Sequence, residues 1–403
     1  MISSGDTAWV LTASALVLLM TPGLAFFYGG LVRKKNIVST IMYSFVSIGL
    51  VGIVWVLWGY SLAFGPDLGG FIGNLEWFGL KGVSANEAGP YSDTIPHQAF
   101  MIFQAMFAII TPALVTGAFA ERMKFGSLCI FIVLWVTIVY APLAHWVWGG
   151  GWLGELGALD FAGGTVVHIS AGAGALASAL VIGRRIGFPE QPMGPANVPM
   201  VILGAALLWF GWFGFNAGSS LAADGVATNA FVVTNTAAAA AMMSWLILAW
   251  LIDKKPSAVG AASGAVAGLV AITPAAGFVG PMPALIIGVG AGVFCYSMVK
   301  LLLKLKVDDA LAVFGVHGIG GIWGALATGL FVGVGYAALG DGVSRGEQIL
   351  DQLIGIGASF GWSFVLTGAI MLAIDKTIGL AADEQGEGMG LDLSEHGEAA
   401  FEL

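Results

Sequence analysis

The stretch Asp160–Arg185 reads "DFAGGTVVHISAGAGALASALVIGRR". Between Phe161 and Ile182 it carries no Asp, Glu, Lys or Arg, and about 20 apolar residues are enough for a transmembrane helix. The one ionisable side chain in the run is His168. Because an ionisable group deep in a membrane span is unfavourable unless it has a function, the stretch predicts both a membrane helix and a candidate site.

The composition of the whole chain is that of an integral membrane protein. Of its 403 residues, 58% are hydrophobic and 10% are charged, with a mean hydropathy of +0.90, whereas a soluble domain carries about 25% charged residues. The apolar runs are longer than the ~10-residue alternating segments of a β-barrel. We therefore predict an all-α polytopic membrane protein in contact with lipid, whose 61 glycines allow close helix packing.

Eleven apolar spans divide the chain. Their approximate limits are 8–31, 37–63, 98–119, 127–149, 161–183, 198–218, 227–252, 257–278, 281–303, 310–335 and 348–375. All but two of the 15 basic residues follow an odd-numbered span, the exceptions being Lys81 and Arg345. Because Lys and Arg concentrate on the cytoplasmic side, we predict that the N-terminus lies outside and the C-terminus inside the cell, and that the chain crosses the cytoplasmic membrane several times.

The tail 376–403 is acidic and contributes most of the net charge of −9. Its one basic residue is Lys376, and its acidic residues are Asp383, Glu384, Glu387, Asp392, Glu395, Glu398 and Glu402. Charge alone favours a solvated, partly disordered end over a cytoplasmic docking or regulatory segment.

Short motifs recur in the same order in the two halves of the chain. "ITPA" occurs at Ile110–Ala113 and again at Ile272–Ala275, and "VH" occurs at His168 and His317. "FYGG" in the first span corresponds to "FNAG" in the sixth. Each half has five spans, an odd number, so the second half enters the membrane from the opposite side. The pattern therefore predicts an inverted repeat, 8–183 and 198–335, with helix 348–375 left over. Such folds place the substrate path near the midplane, between the repeats.

The repeat predicts that the two histidines are partners. Asp160 precedes His168 by eight residues, and Asp309 precedes His317 by eight, which is about 12 Å of helix from opposite faces of a core about 30 Å thick. The imidazoles therefore reach similar depths. Neutral structural histidines and a metal site are the alternatives, and the symmetry of the pair favours a functional role.

Several aromatic and hydroxyl residues have two interpretations from sequence alone. Trp148 ends the motif "HWVW" and is more typical of an interfacial anchor than of a cation-binding mouth. Phe103 and Phe107 lie on one helical face. They either pack in the core or form a hydrophobic gate. Ser219, at a helix end, is typical of a cap.

Nothing in the chain predicts an enzyme or a nucleotide-driven pump. It has no Walker loop, zincin helix or nucleophile elbow. Cys129 and Cys295 both lie in apolar runs, which suggests neither a disulfide framework nor a cysteine-based metal site. We expect no metal, no other cofactor and no nucleic-acid partner.

At this point the chain resembles the ammonium transporter (Amt/Rh) family, and within it the prokaryotic Amt branch. The resemblance covers essentially the whole chain. It is most specific in the stretch quoted first, Asp160–Arg185, and extends to "WFGFNAGS" (Trp212–Ser219) and "VDDALAVFGVHGIGG" (Val307–Gly321). The tail "EGMGLDLSEHGEAAF" (Glu387–Phe401) is similar to the family's cytoplasmic C-terminal region.

The resemblance implies roles for individual residues. Phe107, Trp148 and Ser219 match an outer ammonium recruitment site, and Phe107 with Phe215 matches a paired ring gate. His168 and His317 match twin histidines that line the pore. The resemblance also implies that Asp160 is a carboxylate needed for transport that does not line the pore. Phe103 and Trp212 are further pore candidates.

The resemblance also implies an assembly and an activity. Family members are homotrimers with one pore per subunit, their tails couple the subunits, and in many bacteria and archaea a PII-type signal protein docks on the inner face. We expect a transporter that recruits ammonium, deprotonates it and conducts ammonia with net charge transfer. The alternatives are a passive ammonia channel of the Rh type and an ammonium sensor, although sensors usually carry an output domain and only about 28 residues follow Asp375.

Overall fold

The computed structural model describes residues 1–401, so Glu402 of the acidic tail lies outside the described residues. Each predicted span coincides with a helix or with a continuous series of helical turns. The helices are α1 (Ser4–Leu31), α2 (Lys34–Phe64), α3 (His97–Ala118), α4 (Phe125–Leu156), α5 (Gly164–Ile182), α6 (Val198–Ser220), α7 (Gly225–Asp253), α8 (Ala258–Ile272), α9 (Pro281–Lys304), α10 (Phe314–Phe331), α11 (Arg345–Thr377), α12 (Glu384–Met389) and α13 (Leu391–His396).

Ten of the helices α1 to α11 are long and apolar enough to cross a membrane, and α8, between Ser257 and Thr273, is shorter. The predicted span 257–278 is therefore too long. Pro274 follows directly, and proline lacks the N–H that the next helical turn would need. The chain is a multi-pass membrane protein.

The loop between α2 and α3 forms two small antiparallel hairpins. Strand β1 (Asp67–Leu68) pairs with β2 (Ile72–Gly73), and β3 (Ala88–Gly89) pairs with β4 (Ser92–Pro96). This loop is fastened to α4, because the buried His145 contacts Asp67 at 2.8 Å and the Trp146 indole donates to the carbonyl of Phe71 at 2.7 Å.

Helices that carry matching motifs lie against each other at the centre of the molecule. Helix α1 packs along α6, and a Cβ atom on Gly23 would lie 3.0 Å from the Cβ of Leu207. Helices α5 and α10 meet where Gly172 faces Gly318. Small residues thus bring the helices that carry His168 and His317 into direct contact.

The tail is folded, in place of the partly disordered end that charge alone favours. Helices α12 and α13 lie on the start of α2. Lys35 donates to the carbonyls of Glu387 and Gly388 at 2.6 and 2.7 Å, and the backbone N–H of Ser39 donates to Asp392 at 2.8 Å. Specific hydrogen bonds therefore offset the negative charge of this segment.

Candidate functional site

Two cavities lead from opposite ends towards the helices that carry His168 and His317. One, of about 310 Å³, is lined by residues that include Phe107, Trp148 and Ser219. The other, of about 390 Å³, reaches His317. Between them lies a space of about 10 Å³ beside His168 and His317, which is barely the volume that one water molecule requires.

The first cavity, called the outer cavity below, brings together three residues singled out in the sequence. The Trp148 indole donates to the backbone carbonyl of Asp160 at 2.9 Å, and its ring meets Phe107 edge to face. The Ser219 hydroxyl donates to the carbonyl of Phe215 at 2.8 Å. The hydroxyl oxygen therefore keeps its lone pairs for a ligand that donates hydrogen bonds, beside aromatic faces that attract cations.

A pair of stacked rings closes the floor of the outer cavity. The centroids of Phe107 and Phe215 lie 4.1 Å apart with an interplanar angle of 26°, and both rings are buried. Phe103 packs edge to face on Phe107 at 5.0 Å. Phe103 does not line the cavity, so it supports the ring pair from behind.

Behind the rings lie the two histidines, in contact. Their Nδ1 atoms are 3.3 Å apart, and both side chains are buried. The His168 ring stacks on Trp212 and Phe215 at 5.4 and 6.0 Å. The Nε2 atom of His168 has no hydrogen-bond partner among residues 1–401, and His168 lines the narrow space.

The same kind of cap holds each histidine in place. The Asp160 carboxylate accepts the backbone N–H groups of Gly163, Gly164 and Thr165 at 2.6–2.7 Å, and also the Thr165 hydroxyl. Asp309 accepts those of Val313 and Phe314 at 3.0 and 2.7 Å. Asp160 is absent from the residues that line the outer cavity; its carboxylate fixes the start of α5.

Two features of the site are missed by sequence reasoning. Both histidines lie in π-helical turns, Gly164–Ile169 and Phe314–Gly318, a distortion found often at functional sites. Gln104 also lines the outer cavity, and its buried Oε1 has no partner within the described chain. A glutamine one turn before Phe107 was the available signal for the second feature.

Charged side chains join the ends of the helices on the side of the second cavity, the one that reaches His317, which is called the inner cavity below. Arg185 contacts Asp308 at 2.7 Å and Glu121 at 2.9 Å, and Arg33 contacts Glu121 at 2.9 Å. Burial raises the pKa of the neighbouring Asp309 carboxyl to about 6, against the opposing effect of the N–H groups of Phe314 and Val313. The carboxyl that caps α10 therefore binds a proton more readily than a free aspartate does.

Comparison with known proteins places this arrangement in context. The Ammonium Transporter Family model matches residues 8–401. An ammonium transporter of Bacillus subtilis is 53% identical over 99% of this chain and 98% of its own length. A crystal structure of Candida albicans Mep2 aligns at TM-score 0.88 and 38% identity, covering 95% of this chain and 87% of that one. A structure described as a sensor Amt protein aligns at TM-score 0.91 and 34% identity, over 97% and 98% of the two chains.

Proposed function

This chain belongs to the ammonium transporter family, a family of transporters rather than enzymes, and from that premise we propose how it handles its substrate. The protein recruits ammonium in the outer cavity, removes one proton and conducts ammonia past the twin histidines, with net transfer of charge. The observation that carries this proposal is the order of the parts along one path: an aromatic cavity, the closed Phe107–Phe215 pair, and two histidines in contact.

The outer cavity suits ammonium because it combines two kinds of attraction. The faces of Trp148 and Phe107 attract a cation, by about 0.5–2 kcal/mol for a contact of this kind. Ammonium donates hydrogen bonds and potassium does not, so acceptors at Ser219 and Gln104 distinguish ions of similar size and charge. The stacked rings then exclude a hydrated cation, because they offer no replacement for its water.

Beyond the rings, the histidines suit a molecule that has lost its proton. An Nδ1–Nδ1 contact requires one nitrogen to donate and the other to accept, so at most one of the two Nδ1 atoms carries a proton while the contact lasts. The free Nε2 of His168 offers a hydrogen-bond position to ammonia. The proton that ammonium gives up passes to an imidazole nitrogen of the pair, and a proton leaves the pair on the inner side, which accounts for net charge transfer.

We extend the proposal to topology and assembly. The charge pattern of the loops supports eleven crossings of the cytoplasmic membrane, with the N-terminus outside, the C-terminus inside and α8 as the shortest crossing. The outer cavity then faces the exterior, and the second, inner cavity faces the cytoplasm. Membership of the family supports a homotrimer, with a PII-type protein as a regulatory partner at the inner face.

Reconstitution tests the function directly. Proteoliposomes that contain the protein should take up ammonium or methylammonium down an imposed gradient, and a matched potassium gradient should give no uptake. Uptake no faster than in empty liposomes would refute the proposed transport.

The sensor alternative keeps one supporting observation, the close structural alignment with the sensor Amt protein. A sensor binds ammonium at the outer cavity without sustained flux. Saturable ammonium binding combined with no uptake in the same preparation would favour it over transport.

A further inference from the structure

Three side chains form a polar cluster at the inner cavity. Lys300 Nζ lies 2.7 Å from Asp253 Oδ1, and the Tyr296 hydroxyl donates to Asp253 Oδ2 at 3.0 Å. The Lys300 ammonium group also lies over the Tyr296 ring, 5.5 Å from its centroid. All three residues line the cavity that leads to His317.

The position of the cluster is set by two packed helices. Asp253 is the last residue of α7, and Tyr296 and Lys300 are one turn apart near the end of α9. Two helix ends thus hold a carboxylate, an aromatic face and an ammonium group together where the cavity meets the loops that we assign to the cytoplasm.

Without Lys300, the cluster would have the chemistry of the outer recruitment site. An aromatic face and an oxygen acceptor attract a small cation that donates hydrogen bonds, and Trp148 and Ser219 provide these groups outside. Tyr296 and Asp253 provide them inside, with the additional attraction of a full negative charge. A lysine ammonium group and free ammonium present the same N–H donors to such a site.

We propose that Asp253 and Tyr296 form an inner ammonium site that Lys300 of the same chain occupies. The inference rests on the proposed function and assigns the lysine the role of a tethered competitor. Among the described residues that line the inner cavity, Lys300 is the only basic one. The acidic residues there are Asp253 and Asp309, and the other titratable residues are His317, Tyr28 and Tyr296.

The tether is effective although the ion pair is weak. The side chains of Lys300 and Asp253 are 49% and 41% exposed, and water screens the attraction within pairs that are this exposed. A short tether nevertheless gives the competing group an effective concentration in about the millimolar range. Ammonium in the cytoplasm therefore binds here only at comparable concentrations, and ammonium that has crossed is released instead of being retained at the exit.

The test compares ammonium entry from the two faces in sealed inside-out and right-side-out vesicles. In inside-out vesicles, Lys300→Met frees the site, so the half-saturating ammonium concentration for flux falls by at least about tenfold. Lys300→Gln gives the same shift, and Lys300→Arg, which keeps the charge, does not. The shift is confined to entry from the cytoplasmic face.

Two further variants separate occupancy of the site from loosening of the helices. Lys304→Met removes a charge from the next turn of α9, at a residue that does not line the cavity, and leaves the half-saturating concentration unchanged. Lys300→Met combined with Asp253→Asn removes the carboxylate as well and abolishes the shift.

Equal half-saturating concentrations in Lys300→Met, Lys300→Gln and Lys304→Met vesicles would overturn the inference and reduce the ion pair to a link between α7 and α9. Wild-type vesicles without ammonium flux from either face would instead refute the proposed function. The two failures are therefore distinguishable.

Discussion

At the scale of single residues, the site is a series of small, specific contacts. The histidine pair could be predicted from sequence because the repeat gave each imidazole a depth and a partner, and the structure places their Nδ1 atoms 3.3 Å apart. That the buried Oε1 of Gln104 has no partner among the described residues could not be predicted, because this depends on which acceptors the neighbouring helices leave without a donor.

Trp148 gives a prediction about recruitment. Trp148→Leu removes the cation-attracting face from the outer cavity, and we expect the half-saturating external ammonium concentration to rise roughly 2- to 30-fold. Trp250→Leu is the matched control, since Trp250 is exposed on α7 and does not line the outer cavity. Uptake curves that coincide for wild type and Trp148→Leu would exclude this role.

Asp309 gives a prediction about pH. Burial is the main reason that the pKa of its carboxyl rises from 3.8 to about 6. The charge of Arg122 lowers this pKa, and the charge of Asp308 raises it. Because the pKa in the folded protein is higher than in the unfolded chain, protonation stabilises the fold at low pH, and this stability is lost as pH rises through about 6. At about 1.36 kcal/mol per pKa unit, the loss is roughly 3 kcal/mol.

Asp309→Asn lacks this titration. The melting temperature of the variant in detergent should therefore rise relative to that of the wild type between about pH 4 and about pH 6.5. A difference between the two melting temperatures that stays constant with pH would contradict the assigned titration.

At the scale of elements, the sequence determined where helices lie better than where they end. Helix α8 ends at Ile272, two residues before Pro274, whereas Pro112 of the matching "ITPA" lies inside α3, so the motif alone does not determine where a helix ends. The π-helical turns at both histidines could not be predicted either, because they depend on backbone hydrogen bonds that leave no pattern of apolar residues in the sequence. The folded tail depends on contacts with Lys35 and Ser39, far away in sequence.

The cap of α5 gives a prediction at this scale. Asp160→Ala leaves the N–H groups of Gly163, Gly164 and Thr165 without their acceptor, which costs at least about 2 kcal/mol and lets the turn that carries His168 move. We expect a lower melting temperature together with a loss of ammonium flux.

The control for Asp160→Ala is a cap far from the site. Ser344 caps α11, its hydroxyl accepting the Glu347 N–H at 3.3 Å. Ser344→Ala should cost about 1 kcal/mol without changing flux. Full flux in Asp160→Ala protein would show that the cap does not position His168.

At the scale of the whole molecule, the long apolar helices and their order could be predicted because hydropathy and repeated motifs act over many residues. The assembly could not, since contacts between subunits are absent from the sequence pattern of a single chain. If the protein is a homotrimer, the mass of the detergent-solubilised particle, corrected for bound detergent, should equal three chains of 41.5 kDa. A particle of one chain that still transports ammonium would show that each pore works alone.

The central claim is that ammonium loses its proton at the rings and that the proton crosses along the histidine pair. The most direct test is the electrical current of reconstituted protein after an ammonium concentration jump, with a potassium jump as control. For the wild type, we predict a saturable current with ammonium and none with potassium. His168→Ala or His317→Ala should abolish the ammonium current or admit a potassium current. Ammonia uptake by the wild type without any current would contradict the claim and identify a passive channel. Currents unchanged in size and selectivity in both histidine variants would exclude the pair as the proton path.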